Sequence, residues 1–153
     1  MINDDATALV IDAAQLVAEH DPGAALQLLG ATAIDHRHLQ RAALAVLAFL
    51  LSGDGATERF AELRARAHEL AVEHGADDRQ VVLNLEVIAT SEALAEADPN
   101  RADEIISGSV FSPMNFAWCA VCLTGQCVRG WLGDDHAAFW PGLRRHYRIG
   151  GAA

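Results

Sequence analysis

The chain of 153 residues has little of what secreted, membrane or nucleic-acid-binding proteins depend on. Its three cysteines, an odd number confined to residues 119–127, do not make a secreted disulfide framework. No uninterrupted apolar stretch approaches the roughly 18 residues of a membrane span. The longest, Ala42 to Leu51, is about half that. The opening Met-Ile-Asn-Asp-Asp is acidic where a signal peptide is basic, so a cytoplasmic chain is expected. Basic residues number 11 against 21 acidic, and the formal charge of −10 repels phosphate backbones and anionic lipids. Nucleic acid and membranes are therefore excluded as expected partners, and charged partners are expected to be basic.

Local catalytic signatures are missing as well. Gly53-Asp54-Gly55 lacks the later glycine and lysine of a phosphate-binding loop and reads as a connector. His68-Glu69 begins like the zinc-protease helix motif, but Val72 stands where its second histidine belongs. No serine or cysteine sits between glycines in an elbow, and no carboxylate pair has surroundings that would separate its pKa values. The expectation is a protein that is not an enzyme and carries no cofactor.

What is present is helical periodicity. Leu9, Val10, Ala13, Leu16 and Val17 repeat at three, four and seven, as do Leu39, Ala43, Val46 and Leu50. Much of the 52% apolar content is alanine, which suits closely packed helices. Boundary residues predict about eight helices. The first runs from Asp5 to His20. Asp21-Pro22 opens a second, ending near Gly30, and Asp35 caps a long third, ending at Ser52-Gly53. Thr57 is expected to cap a fourth, ending at Gly75, and Asp77 with Gln80 to form a capping box for a fifth. Asp98-Pro99 opens a sixth and Ser112-Pro113 a seventh, running to Trp131. Asp134 or Asp135 caps an eighth, kinked near Pro141.

Shifting the chain by 77 residues, the separation of Pro22 and Pro99, aligns it with itself without a gap from Ala6 to Gly53. Val10-Ile11 meets Val87-Ile88, Asp21-Pro22 meets Asp98-Pro99, and Ala25 meets Ala102. Ile34, Asp35 and Leu39 meet Phe111, Ser112 and Phe116, a hydrophobic staple in both places. This predicts an all-α domain of two tandem four-helix units, 5–75 and 78–148, stacked and joined near Gly75. Half of that period, about 38 residues, lies in the range of helical repeats. The junction Ala93-Leu94-Ala95-Glu96-Ala97-Asp98-Pro99-Asn100 resembles that of tetratricopeptide repeats, with its proline one place late and the aromatic and Leu-Gly signature missing. The likeness is confined to the two Asp-Pro junctions and implies only stacked antiparallel hairpins.

Cys119 and Cys122, one helical turn apart, are the metal or redox candidates. They and Cys127 fall opposite Ala42, Ala45 and Leu50, which points instead to packing as small hydrophobes. His20 and His74 each end a predicted helix, where they complement the dipole. His36-Arg37-His38 is expected in solvent at a helix start. The basic run Leu143 to Arg148 closes a terminal helix and offsets the acidic globule.

The halves differ in aromatic content: Phe111, Phe116, Trp118, Trp131, Phe139, Trp140 and Tyr147 all follow residue 110, and only Phe49 and Phe60 precede it. The second half therefore fills a larger core, presents an apolar surface to a partner, or encloses a small-molecule pocket. The expected contact surface comprises Phe111, Met114, Trp118, Trp131, Phe139, Trp140 and Tyr147. The reading is a non-catalytic interaction or regulatory module binding another protein or a second copy of itself. Its alternative is a small-ligand or metal sensor with Trp118, Trp131 and Trp140 around a cavity beside Cys119 and Cys122.

Overall fold

The computed structural model describes residues 4–149, all of whose regular structure is helical. The first three residues of the acidic N-terminal stretch lie outside the described part. The elements are α1 (Asp4–Ala18), α2 (Pro22–Ala31), α3 (His36–Leu51), α4 (Ala56–His74), α5 (Arg79–Ala95), α6 (Pro99–Gly108) and α7 (Pro113–Leu132). A 3-10 turn (Gly133–Ala138) then leads into the short α8 (Phe139–His146). Among the described residues, seven helices thus have ten or more residues. The expected eighth differs from its forecast: Asp134 and Asp135 lie inside the 3-10 turn rather than capping a helix, and Pro141 sits in the first turn of α8, where a missing N–H costs nothing.

Most boundaries follow from local capping. The Asp21 carboxylate accepts from the Ala24 N–H at 3.1 Å, and Asp98 accepts from that of Arg101 at 3.2 Å. Ser112 and Asn115 form a reciprocal capping box at the start of α7. Two forecasts were displaced. α4 starts after Gly55, whose φ of 82° is open to glycine, and not at Thr57. α5 is capped by Asp78, which accepts from Gln80 and Val81, and not by Asp77. The C-terminus of α1 is covered from a distance: Arg129 of α7 donates to the Ala18 carbonyl at 3.1 Å, while His20 lies beyond the helix end in a left-handed conformation.

The 77-residue offset recurs in local geometry. α2 and α6 have corresponding first and last residues, and α3 and α7 start at corresponding residues. His20 and Ala97, both left-handed at φ 63° and 57°, precede the two Asp-Pro junctions. The Asp21 N–H donates to the Leu16 carbonyl at 2.9 Å, and the Asp98 N–H to that of Ala93 at 2.8 Å. Thr32 accepts from the Ile34 N–H and Ser109 from that of Phe111.

Tertiary packing interleaves the two sets. The largest helix interface is α3 on α7, with α1 also packed on α7 and α5 on α3. Leu39, Leu44, Leu47, Phe116, Val121 and Val128 are buried in this centre, each contributing roughly 1.5–3 kcal/mol by leaving water. Two four-helix units closed on themselves and stacked end to end would not have this arrangement. α4 bends 118° from α3 and packs mainly on α5. Arg64 of α4 bonds Glu92 of α5 at 2.8 Å, and Arg144 of α8 bonds Gln15 of α1 at 2.7 Å. Gln15 and Glu92 are themselves 77 residues apart. No single described helix is long and apolar enough to cross a membrane.

Candidate functional site

Because α4 leans on α5 and leaves α7, a groove of about 310 Å³ opens between α4 and α7 with α5 as its floor. Leu63 and Ala67 of α4, Ile88 of α5 and Leu123 of α7 supply its apolar lining. Arg66, Glu69 and Glu73 bring charge along its α4 side, with Asn84 and Gln126 as polar groups. Leu63, Arg66 and Cys127 also line a smaller cleft that reaches Trp131, so the two are continuous along α7. Trp131 is 43% exposed and Leu132 41% exposed, both large apolar side chains left in water.

The expected contact residues separate into three groups. Trp140 is wholly buried; its indole N–H donates to Nδ1 of buried His136 at 3.2 Å. It belongs to the core and not to a surface, because α8 folds back on the bundle. Phe111, Met114, Trp118, Phe139 and Tyr147 are half-buried and packed against the core. Arg79 lies 5.0 Å from the Phe111 ring centroid, and Phe139 meets Trp140 edge to face. Trp131 alone of this set is exposed. Trp118, Trp131 and Trp140 do not converge on a shared cavity among those described.

Cys119 and Cys127 are buried, Cys122 partly so. Burial, with Cys122 close by, pushes the Cys119 thiol up to about 12. Burial likewise pushes Cys122 to about 11. Cys127 also rises to about 11 through burial, partly opposed by the Arg66 guanidinium. The thiols are therefore protonated at neutral pH, the form that neither binds zinc nor attacks. Cys119 donates its S–H to Oδ1 of Asn84 at 3.0 Å. No group of three or more His, Cys, Asp or Glu among the described residues is placed to hold a metal ion.

The basic run at the end of the chain holds α8 in place. Arg144 also bonds Asp12 at 2.7 Å, and His146 stacks on Phe49 with centroids 4.0 Å apart. Tyr147 meets Phe49 edge-on. His74 ends α4, with Nε2 3.9 Å from Glu73. His36, Arg37 and His38 are exposed in the first turn of α3, but Arg37 also lines a second groove, toward α6. Gln40 and Arg41 accompany it there, and sequence reasoning missed both. The available signal was their three- and four-residue spacing from Arg37, which puts all three on one helix face.

The chain matches no protein-family model, no curated protein and no solved structure among those compared.

Proposed function

We propose that the chain is a duplicated helical unit that acts by recognition of another protein, through a surface centred on Trp131. The observation that carries this reading is an exposed indole and Leu132 at the end of a groove between α4 and α7. Exposed aromatic rings beside an apolar cleft are typical anchors of protein interfaces, supplying much of the binding energy from little area. The mixed charges of Arg59, Glu62, Arg66 and Glu69 around the cleft suit a polar rim.

Duplication is supported by the matched bounds of α2 and α6, the paired left-handed residues His20 and Ala97, and the paired Asp21 and Asp98 caps. Under it, each fourth segment packs on the first helix of the other half. α4 is long and leaves the groove open, whereas the short α8 is tied down by Arg144 and the Phe49 stack. The likeness to tetratricopeptide junctions fits the same reading at the level of helical surfaces that bind protein.

The test is affinity capture from the native host with wild type and Trp131→Ala, alongside light scattering across a concentration series. The reading expects partners, or a concentration-dependent dimer, that Trp131→Ala loses. Equal capture by both proteins, together with a strict monomer, overturns it. A small apolar ligand is the second reading, favoured by the volume and lining of the groove. Saturable quenching of Trp131 fluorescence by such a ligand, with no protein partner, would select it.

A further inference from the structure

The face of α3 turned toward α6 has the composition of a ligand site. Arg37, Gln40, Arg41, Leu44 and Ala45 line a groove of about 800 Å³, at offsets of three, four, seven and eight that define one stripe of the helix. The volume lies in the range of small-molecule sites. The stripe is polar toward the N-terminus of α3 and apolar beyond it. Leu94 of α5, Ile106 of α6 and Phe111 extend the apolar lining.

Gln40 carries the argument. It is only 5% exposed, yet its side-chain amide has no hydrogen-bond partner among the described residues. The side chain lines the groove, and its amide atoms are still reached from there, so they are open to a ligand that enters it. Arg37 and Arg41 on either side form no ion pair among the described residues, and Asp103 on the facing wall pairs with neither. The partial positive charge of the α3 N-terminus adds to the two guanidiniums.

The fold does not require these polar groups. At the positions 77 residues on, α7 has Met114, Ala117 and Trp118, and there α2 packs directly on α7. α6 stands off α3, and the groove lies between them.

We infer that this groove binds an amphipathic carboxylate. Arg37 and Arg41 hold the head group in charge-assisted hydrogen bonds, Gln40 donates its amide N–H to it, and the apolar body lies along Leu44, Leu94 and Ile106. Placed this way, one molecule pairs with the unpartnered Gln40 amide, neutralises the two guanidiniums and covers the apolar end.

Calorimetric titration of the full chain with sodium octanoate at low ionic strength tests the assignment. Saturable one-site binding is expected, weakened at least about tenfold in a folded Arg37→Gln/Arg41→Gln variant and several-fold in Gln40→Ala. Octan-1-ol, which lacks the charge, and acetate, which lacks the body, should each bind at least about tenfold more weakly. Absence of octanoate saturation below roughly 10 mM overturns the proposal, as does undiminished binding by the double variant. Should that variant fail to fold, equal affinity of the wild type for octanol and octanoate overturns it instead. A dimer that Arg41→Gln dissolves, with no octanoate binding, replaces the small molecule by a protein partner and also overturns it. Trp131→Ala should bind octanoate as the wild type does, so this result and the Trp131 interface stand or fall separately.

Discussion

Gly125 of α7 lies directly against the backbone of Ala14 in α1: a Cβ built on the glycine would meet the Ala14 carbonyl oxygen at 2.6 Å and Cβ of Val17 at 2.8 Å. Mid-helix glycine normally costs about 1 kcal/mol relative to alanine, so substitution would ordinarily stabilise. Here the obstacles are backbone and a β-branched side chain, neither of which yields cheaply. Gly125→Ala should destabilise by about 1–3 kcal/mol, whereas Gly130→Ala in the same helix, with nothing within 4 Å, should stabilise by about 0.5–1 kcal/mol. Urea unfolding of the two variants should show opposite shifts in midpoint.

The cysteines predict an alkaline response. Their folded thiols are raised from 9.0 to about 11 or 12, so above pH 9 the unfolded chain releases protons that the folded chain keeps. Stability is then fully present below pH 9 and is lost as pH rises toward the folded values, at up to about 1.4 kcal/mol per pH unit for each fully buried thiol. Half-buried Tyr147, also raised by burial, adds to the loss at still higher pH. Replacing the cysteines by the residues 77 positions earlier, as Cys119→Ala, Cys122→Ala and Cys127→Leu, should flatten the decline between pH 8.5 and 10.5. A wild-type melting temperature that is level over that interval would contradict the burial account.

Trp140 and Trp131 should separate cleanly by mutation. Trp140→Ala removes a wholly buried ring and its bond to His136, and should cost about 3–5 kcal/mol. Trp131→Ala should cost less than about 1 kcal/mol, because nearly half of that side chain is already in water. Acrylamide should quench the Trp131 contribution to fluorescence first.

Ala97 holds a left-handed conformation at φ 57° without a glycine's freedom. Ala97→Gly should therefore stabilise by about 1 kcal/mol, read as a raised melting temperature. Asp21→Ala and Asp98→Ala should each cost about 1 kcal/mol through loss of a helix cap. Their effects should be alike if the two junctions are copies, and a difference beyond about 1 kcal/mol would count against that equivalence.

The parts of the fold readable from sequence were those encoded within a few residues. Asp21, Asp35, Asp98 and Ser112 do cap helices, because a side-chain oxygen two or three residues from an unpaired N–H needs no tertiary help. The cap forecast failed at Asp77 because Asp78, its neighbour, can make the same bonds, and only the exit from Gly75 selects between them. It failed at Thr57 because Gly55 turns the chain into α4 earlier.

The candidate site was much less legible. Sequence treated the late aromatics as one set, since ring content alone does not tell a core residue from a surface one. That Trp140 is enclosed and Trp131 is not depends on α8 folding back under Arg144 and His146. Arg37 likewise looked like a solvated charge, and Gln40 and Arg41 drew no notice, until α6 supplied an opposite wall.

By itself, then, the order of residues determined helicity, most helix ends and the 77-residue echo, all of which arise from hydrogen bonds and apolar spacing within a turn or two. The tertiary structure alone decided that α3 meets α7, that α4 leaves α7 to lie on α5, and which faces stay open as grooves. These choices turn on how ridges from distant segments fit one another, and no short stretch of chain contains both sides of that fit.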